Sequence, residues 1–310
     1  MSLRIPGNIL LLGEYAILET GSIALTAAIF PLALTSINSS SILTGERGDS
    51  KWEYDLERSS ENNPEGNLFA SCWIMLKEYA SEKNLLLTKK GVHINTSSFL
   101  SDKGKIGFGS SAASAVSCIK GVLEGQIWGD SVSISDFQKI AFKAHNAFQG
   151  KIGSGYDVYT SCSSRLNLFT KGFIPSIEKV HLFFLPDVYV YDSPHSVSTI
   201  SAVKKYNFWK NLNPDLALDF IKKSNLLTKQ FCALNSWKEG QIIFNEAKEL
   251  GLYLGEQIGV SAEVRVPEQL NELSDTVWKA SGAGNELPII LSPHDLTPID
   301  GIHKVIFFDE

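Results

Sequence analysis

The sequence predicts a two-domain chain of mixed helices and strands. Three observations carry that expectation. The 310 residues are enough for about two domains of ordinary size. Short apolar and alternating segments with strand character are interspersed with helical periodicities through the N-terminal part. A helix-rich stretch over about 197–258 is followed by a return to strand-like segments. The composition, 44% hydrophobic and 20% charged, is that of a folded globular chain.

In chain order, "NILLLG" and "ALTAAIFPLALTSI" are apolar strand-like segments, and "KWEYDL" and "KGVHINTSS" alternate as half-exposed strands do. A polar loop, "SSENNPEGN", precedes a helix expected over 68–81. Ala112, Ala115, Val116, Ile119, Val122 and Leu123 recur at three- and four-residue steps, which predicts a helix with one buried face. Another helix is expected over 136–149. Ser135 and Gln138 have capping-box spacing, Phe137, Ile140, Ala141, Ala144 and Phe148 share a face, and Gly150 ends it. "VHLFFL" and "VYVYD" read as strands entering a second domain. Within the helix-rich stretch, Asn213-Pro214-Asp215 and Asn235-Ser236 mark starts or breaks. "LPIILS" and "HKVIFFD" return to strand. The expected division falls near residue 180, giving domains 1–180 and 181–310.

Composition excludes several classes. The net charge is −6 with no long basic run, which argues against nucleic acid as a partner. Cys72, Cys118, Cys162 and Cys232 are scattered and include no C-x-x-C pair, as expected of reduced thiols in an intracellular protein. The apolar stretch over 23–37 is broken by Pro31 and is too short to span a bilayer. Gly7, Asn8 and Glu14 interrupt the N-terminal apolar run where a secretory signal would need continuity. A cytoplasmic protein with no membrane partner is expected.

Three motifs bear on chemistry. In "DKGKIGFGSSAASA", Gly107, Gly109, Ser110, Ser111 and Ala112 stand where a helix begins. Unpaired N–H groups and the positive end of the dipole favour an anion there. Glycine removes the Cβ that would obstruct phosphate oxygens, and the serines offer hydroxyls for capping, phosphate or a metal ion. An ordinary turn feeding a helix has the same composition. In "AHNAFQGKIGSGYDVYTS", Asp157 follows a Gly-Ser-Gly turn, with Lys151 six residues earlier. A carboxylate near a cation suits phosphoryl transfer, while an Asp that caps the next helix is the plainer alternative. "KASGAGNEL" is a late glycine-rich turn, and Glu14 in "RIPGNILLLGEYAIL" is either a substrate contact or a strand-end charge.

Taken in order, "PGNILLLGEYAIL", "KIGFGSSAAS", "QGKIGSGYDV" and "SGAGNEL" resemble the GHMP kinases, and within them the phosphomevalonate kinase branch. The resemblance implies a two-domain α+β GHMP kinase fold. An N-terminal ATP-binding domain like ribosomal protein S5 domain 2 would precede a ferredoxin-like C-terminal domain, with ATP and substrate in the cleft between them. It implies transfer of the ATP γ-phosphoryl group to the phosphate of 5-phosphomevalonate, with ATP and Mg2+ as cofactors and a small phosphorylated molecule as substrate. Lys105, Gly107, Gly109, Ser110, Ser111 and Ala112 would hold ATP, with Ser111 near magnesium. Asp157 and Lys151 would be catalytic. Asn8, Glu14, Ser154, Ser198, Thr199, Gly282 and Gly284 would face the substrate, with Lys204 or Lys205 adding charge.

The pattern departs from the family twice. Asn8 replaces the lysine that follows Pro-Gly, offering a dipole where a cation would steady the moving phosphate. Asn285, Glu286 and Leu287 stand where small residues and Asp are expected. Two other readings therefore accompany the first: a GHMP kinase acting on mevalonate or a sugar, and a nucleotide- or metabolite-binding homologue with weakened catalysis.

Overall fold

The computed structural model describes residues 2–57, 67–101, 104–192, 199–284 and 287–309. The chain divides into two compact units, Met1–Asn8 with Ile29–Ser163, and Ile9–Ala28 with Ser164–Glu310. Sequence reading put one division near 180; by contacts the chain passes into the second unit after Asn8 and again after Ser163. Two long strands make these passages. β1 (Ser2–Leu12) begins in the first unit and ends in the second, and β2 (Ile23–Asn38) runs the other way. Both pair with each other.

In the first unit, the C-terminal half of β2 pairs antiparallel with β5 (Gly91–Asn95), Leu34 lying opposite Asn95. β5 runs parallel to β3 (Ile42–Arg47), which forms a hairpin with β4 (Ser50–Asp55). The short strands β6 (Leu100–Ser101) and β7 (Gly104–Lys105) form a second hairpin. Helices α1 (Leu68–Glu82), α2 (Ser110–Glu124) and α3 (Ile134–Phe148) pack on one another, and α2 also touches α4 (Tyr156–Ser161) and β5. The apolar face expected of α2 is buried throughout. The cap of α3 is Ser133, whose Oγ accepts the Asp136 N–H at 3.1 Å, two residues before the expected Ser135. Ser133 has the extended backbone that a cap requires, and Ser135 already lies inside the helix.

In the second unit, Ile23–Ala27 of β2 pair antiparallel with β8 (Leu166–Thr170), which pairs with β9 (Ser176–Lys179). A separate antiparallel sheet has the order β11 (Val277–Ser281), β12 (Leu287–Ser292), β10 (Asp187–Tyr191), β13 (Ile302–Lys304). Helices α5 (Thr199–Leu212), α6 (Pro214–Ala233) and α7 (Trp237–Ile258) accompany it, and α7 packs on β11. Their breaks fall at Asn213-Pro214 and Ser236, as the sequence predicts. Tyr206, Trp209, Phe220, Leu254 and Ile258 build one core with Ala16.

One expected strand is absent: residues 180–185, "VHLFFL", form a turn closed by the Leu185 N–H on the Leu182 carbonyl. The apolar run misleads because its members go to different places. Phe184 packs edge-on against Phe231, while Phe183 is exposed. "HKVIFFD" contributes β13 only through its first residues.

Candidate active site

The glycine loop is fastened from behind. Phe108 is buried, and its carbonyl accepts the Asn8 N–H at 3.0 Å. Gly107 and Gly109 have φ of 85° and 70°, the left-handed region where a Cβ is penalised. A Cβ on Gly109 would stand 2.2 Å from Asn8 Nδ2. Gly109 caps α2, and its carbonyl accepts the Ala113 N–H at 3.1 Å. The first-turn N–H groups of α2, from Ser110 through Ala112, lack intrahelical acceptors by the geometry of any helix start. Ser110 and Ala112 are buried, and Ser111 is half-buried. Lys105 stands in β7, two residues before Gly107.

Asn8 itself is only 3% exposed, and its Nδ2 donates to Ser161 Oγ at 3.0 Å. Asn8 is thus built into the support of the loop.

The second motif folds around a tight turn. Gly155, with φ 91°, caps α4, and a Cβ there would lie 2.6 Å from the Phe142 ring. Only glycine fits. Asp157 lies in the first turn of α4 and is not its cap; its Oδ1 accepts the adjacent Val158 N–H at 2.9 Å. Oδ2 lies 3.5 Å from His145 Nδ1, and His145 Nε2 lies 3.1 Å from Ser111 Oγ. His145 is 1% exposed. It was missed in the sequence, where its place on the apolar side of α3 reads as core. Ser154 is buried beside the turn, and Lys151, with φ 66°, is exposed.

Ser110, Ser111 and Ser114 line one wall of a pocket of about 440 Å³ within the first unit. That volume is within the range of small-molecule sites. Arg47, Trp52 and Phe69 line the same pocket, with the Arg47 guanidinium 5.3 Å from the Trp52 ring centre. Sequence reading passed over Arg47 and Trp52; the only signal was an outward aromatic on an alternating strand. A flat apolar ring, a cation and a helix N-terminus together suit a molecule with a planar base and an anionic tail.

In the second unit, Glu14 forms a short ion pair with Lys279, whose side chain is 4% exposed. Burial raises the Glu14 carboxyl above its ordinary value, and the Lys279 ammonium pulls it back. Tyr15 donates from its hydroxyl to the Ala283 carbonyl at 2.6 Å. Glu14, Tyr15, Lys279, Gly282 and Gly284 line one cavity. The early acidic residue and the late glycine loop therefore meet, with Glu14 paired to a lysine that sequence reading did not single out.

Thr199 begins α5 and is exposed. Lys204 is exposed, and Lys205 donates to the Gly259 carbonyl at the end of α7, at 2.8 Å. Ser198, Asn285 and Glu286 lie outside the described residues. Among the described residues no group of three or more His, Cys, Asp or Glu side chains is placed to hold a metal ion, and no helix is long and apolar enough to cross a membrane.

Residues 67–165 match the family model of the GHMP kinases N terminal domain. The match covers about a third of the chain, and over nearly its whole length the chain has the α+β fold of solved structures that it resembles. Among solved structures it is similar to a Lin0012 protein from Listeria innocua, with a TM-score of 0.82 and 20% identity over 99% of this chain and 96% of that one. It is also similar to Streptococcus pneumoniae phosphomevalonate kinase in complex with phosphomevalonate and AMPPNP, at 0.75 and 19% over 95% and 92%. Methanococcus jannaschii mevalonate kinase matches at 0.72 and 17% over 100% and 98%. No curated protein sequence matches the chain.

Proposed function

We propose that this chain is an ATP-dependent phosphotransferase acting in the cytoplasm, and that its acceptor is the phosphate of 5-phosphomevalonate, converted to the diphosphate for isoprenoid synthesis. The observation that carries the reading is the pocket that the N-terminus of α2 lines together with Arg47 and Trp52. The acceptor rests on the likeness of "QGKIGSGYD" to the phosphomevalonate branch and on the similarity to the S. pneumoniae enzyme.

In this reading the first turn of α2 takes the nucleotide phosphates through its N–H groups and dipole. Ser111 and Asp157 present hard oxygen donors, which fit a magnesium ion that keeps most of its ligands as water and phosphate oxygens. Bound magnesium neutralises charge on the phosphates. Asp157 orients the attacking oxygen and accepts its proton. Lys151 and Lys105 supply the cationic charge that Asn8 does not. Ser154, Glu14, Ser198, Thr199, Gly282 and Gly284 belong to acceptor binding, and residues 1–180 to the ATP-binding domain.

The buried Asn8 favours a second reading, a nucleotide- or metabolite-binding homologue with weakened catalysis. One experiment separates them: ATP consumption with phosphomevalonate, mevalonate and galactose, paired with calorimetric binding of AMPPNP. Turnover fastest with phosphomevalonate is expected. Preference for mevalonate or galactose would replace the acceptor, and AMPPNP binding without any turnover would select the second reading.

A further inference from the structure

We propose that His145 is the positioning residue of this site, one buried imidazole that ties Ser111 to Asp157 and sets how each presents its oxygen. The inference rests on the kinase reading for what Ser111 and Asp157 do. The tie itself stands on geometry within the first unit. Ser111 is the second residue of α2, His145 lies in the last turn of α3, and Asp157 lies in the first turn of α4. One ring joins three helices, with Nε2 3.1 Å from Ser111 Oγ and Nδ1 3.5 Å from Asp157 Oδ2. Phe148 packs beside that ring with centroids 6.1 Å apart. The other carboxylate oxygen, Oδ1, is held by the Val158 N–H. Asp157 is therefore held through Oδ1 by its own helix, with Oδ2 set beside the imidazole.

The two ring nitrogens of His145 face the loop serine and the motif carboxylate, so the imidazole sets the distance between those two groups whichever nitrogen carries a hydrogen.

The test uses the whole chain with 15N-labelled histidine, in wild type, Ser111→Ala, Asp157→Asn, His145→Phe and His145→Gln. Ser111→Ala is expected to move the His145 Nε2 resonance and Asp157→Asn the Nδ1 resonance, and AMPPNP is expected to move both in wild type. His145→Phe is expected to lower kcat at least tenfold, since small misplacements of reacting groups cost up to about a hundredfold. His145→Gln should recover part of that loss. In an Asp157→Asn background, His145→Phe should cost nothing more. Unmoved ring resonances in both partner variants, or wild-type kcat in His145→Phe, would overturn the positioning role and leave the kinase reading standing. A wild type that neither binds AMPPNP nor turns over ATP would sink the kinase reading, while the resonances still decide the tie. Should His145→Phe not fold, the resonances and His145→Gln decide it.

Discussion

Asn8 donates its side-chain amide to the hydroxyl of Ser161 at 3.0 Å, joining β1 to the end of α4 across 153 residues of chain. The same side chain lies against the Cα of Gly109, and its backbone N–H holds the Phe108 carbonyl. Position 8 therefore fixes the loop from below. A neutral, short, two-ended residue fits that role, and a long cation does not.

Asn8→Lys is accordingly expected to destabilise the protein by about 1–3 kcal/mol, the usual cost of forcing extra length into a packed site. Turnover should not improve. Denaturant melts and steady-state rates on the folded fraction check this. A tenfold rise in kcat would mean that charge alone had been missing, with room already present for it.

Gly109→Ala tests the loop backbone. At φ 70° an alanine is strained by about 1–2 kcal/mol. Its Cβ also collides with Asn8. Lower stability and weaker AMPPNP binding are expected together. Ser111→Ala separates the two effects, because it keeps the backbone and removes one hydroxyl that lines the pocket. Nucleotide affinity should fall several-fold, with a modest drop in melting temperature from the lost contact to His145 Nε2. Calorimetry that gives wild-type affinity would take Ser111 out of the nucleotide site.

Asp157→Asn preserves shape and the bond from Val158 while removing charge and basicity. A fall in kcat of about two to four orders of magnitude is expected. AMPPNP affinity and melting temperature should stay near wild type. An unfolded variant that keeps full activity per folded molecule would reduce Asp157 to a structural acid.

The Glu14–Lys279 pair gives a pH-dependent prediction. Lys279→Met leaves a largely buried carboxylate without its cation, at a cost of about 3–5 kcal/mol. Because the folded-state pKa of Glu14 lies above its ordinary value, the folded form binds its proton more tightly than the unfolded form does. Stability from this group is therefore full below the unfolded carboxylate pKa and is lost as pH rises through the folded one. Removing the lysine raises the folded pKa further. Thermal melts of Lys279→Met should recover markedly on going from pH 8 to pH 5, relative to wild type. A parallel pH dependence in both proteins would contradict the pairing.

The sequence by itself determined the features whose cause is local. The buried face of α2 follows from spacing, the start of α6 from Asn213-Pro214, and the loop from glycines at positions whose φ excludes other residues. Its ordered motifs also carry the resemblance to the GHMP kinases. Tertiary structure decided what depends on meetings between distant residues. Periodicity gave α3 an apolar face but did not single out His145, which only the fold brings to Ser111 and Asp157. Nothing near Glu14 in sequence announces Lys279, 265 residues away, and nothing near Trp52 or Arg47 announces the start of α2. The run "VHLFFL" forms a turn in which one of two adjacent phenylalanines packs against Phe231 and the other points to solvent. Apolar pattern and turn chemistry are properties of neighbours along the chain, whereas a site's hydrogen bonds and ion pairs join side chains that only the completed fold brings within reach.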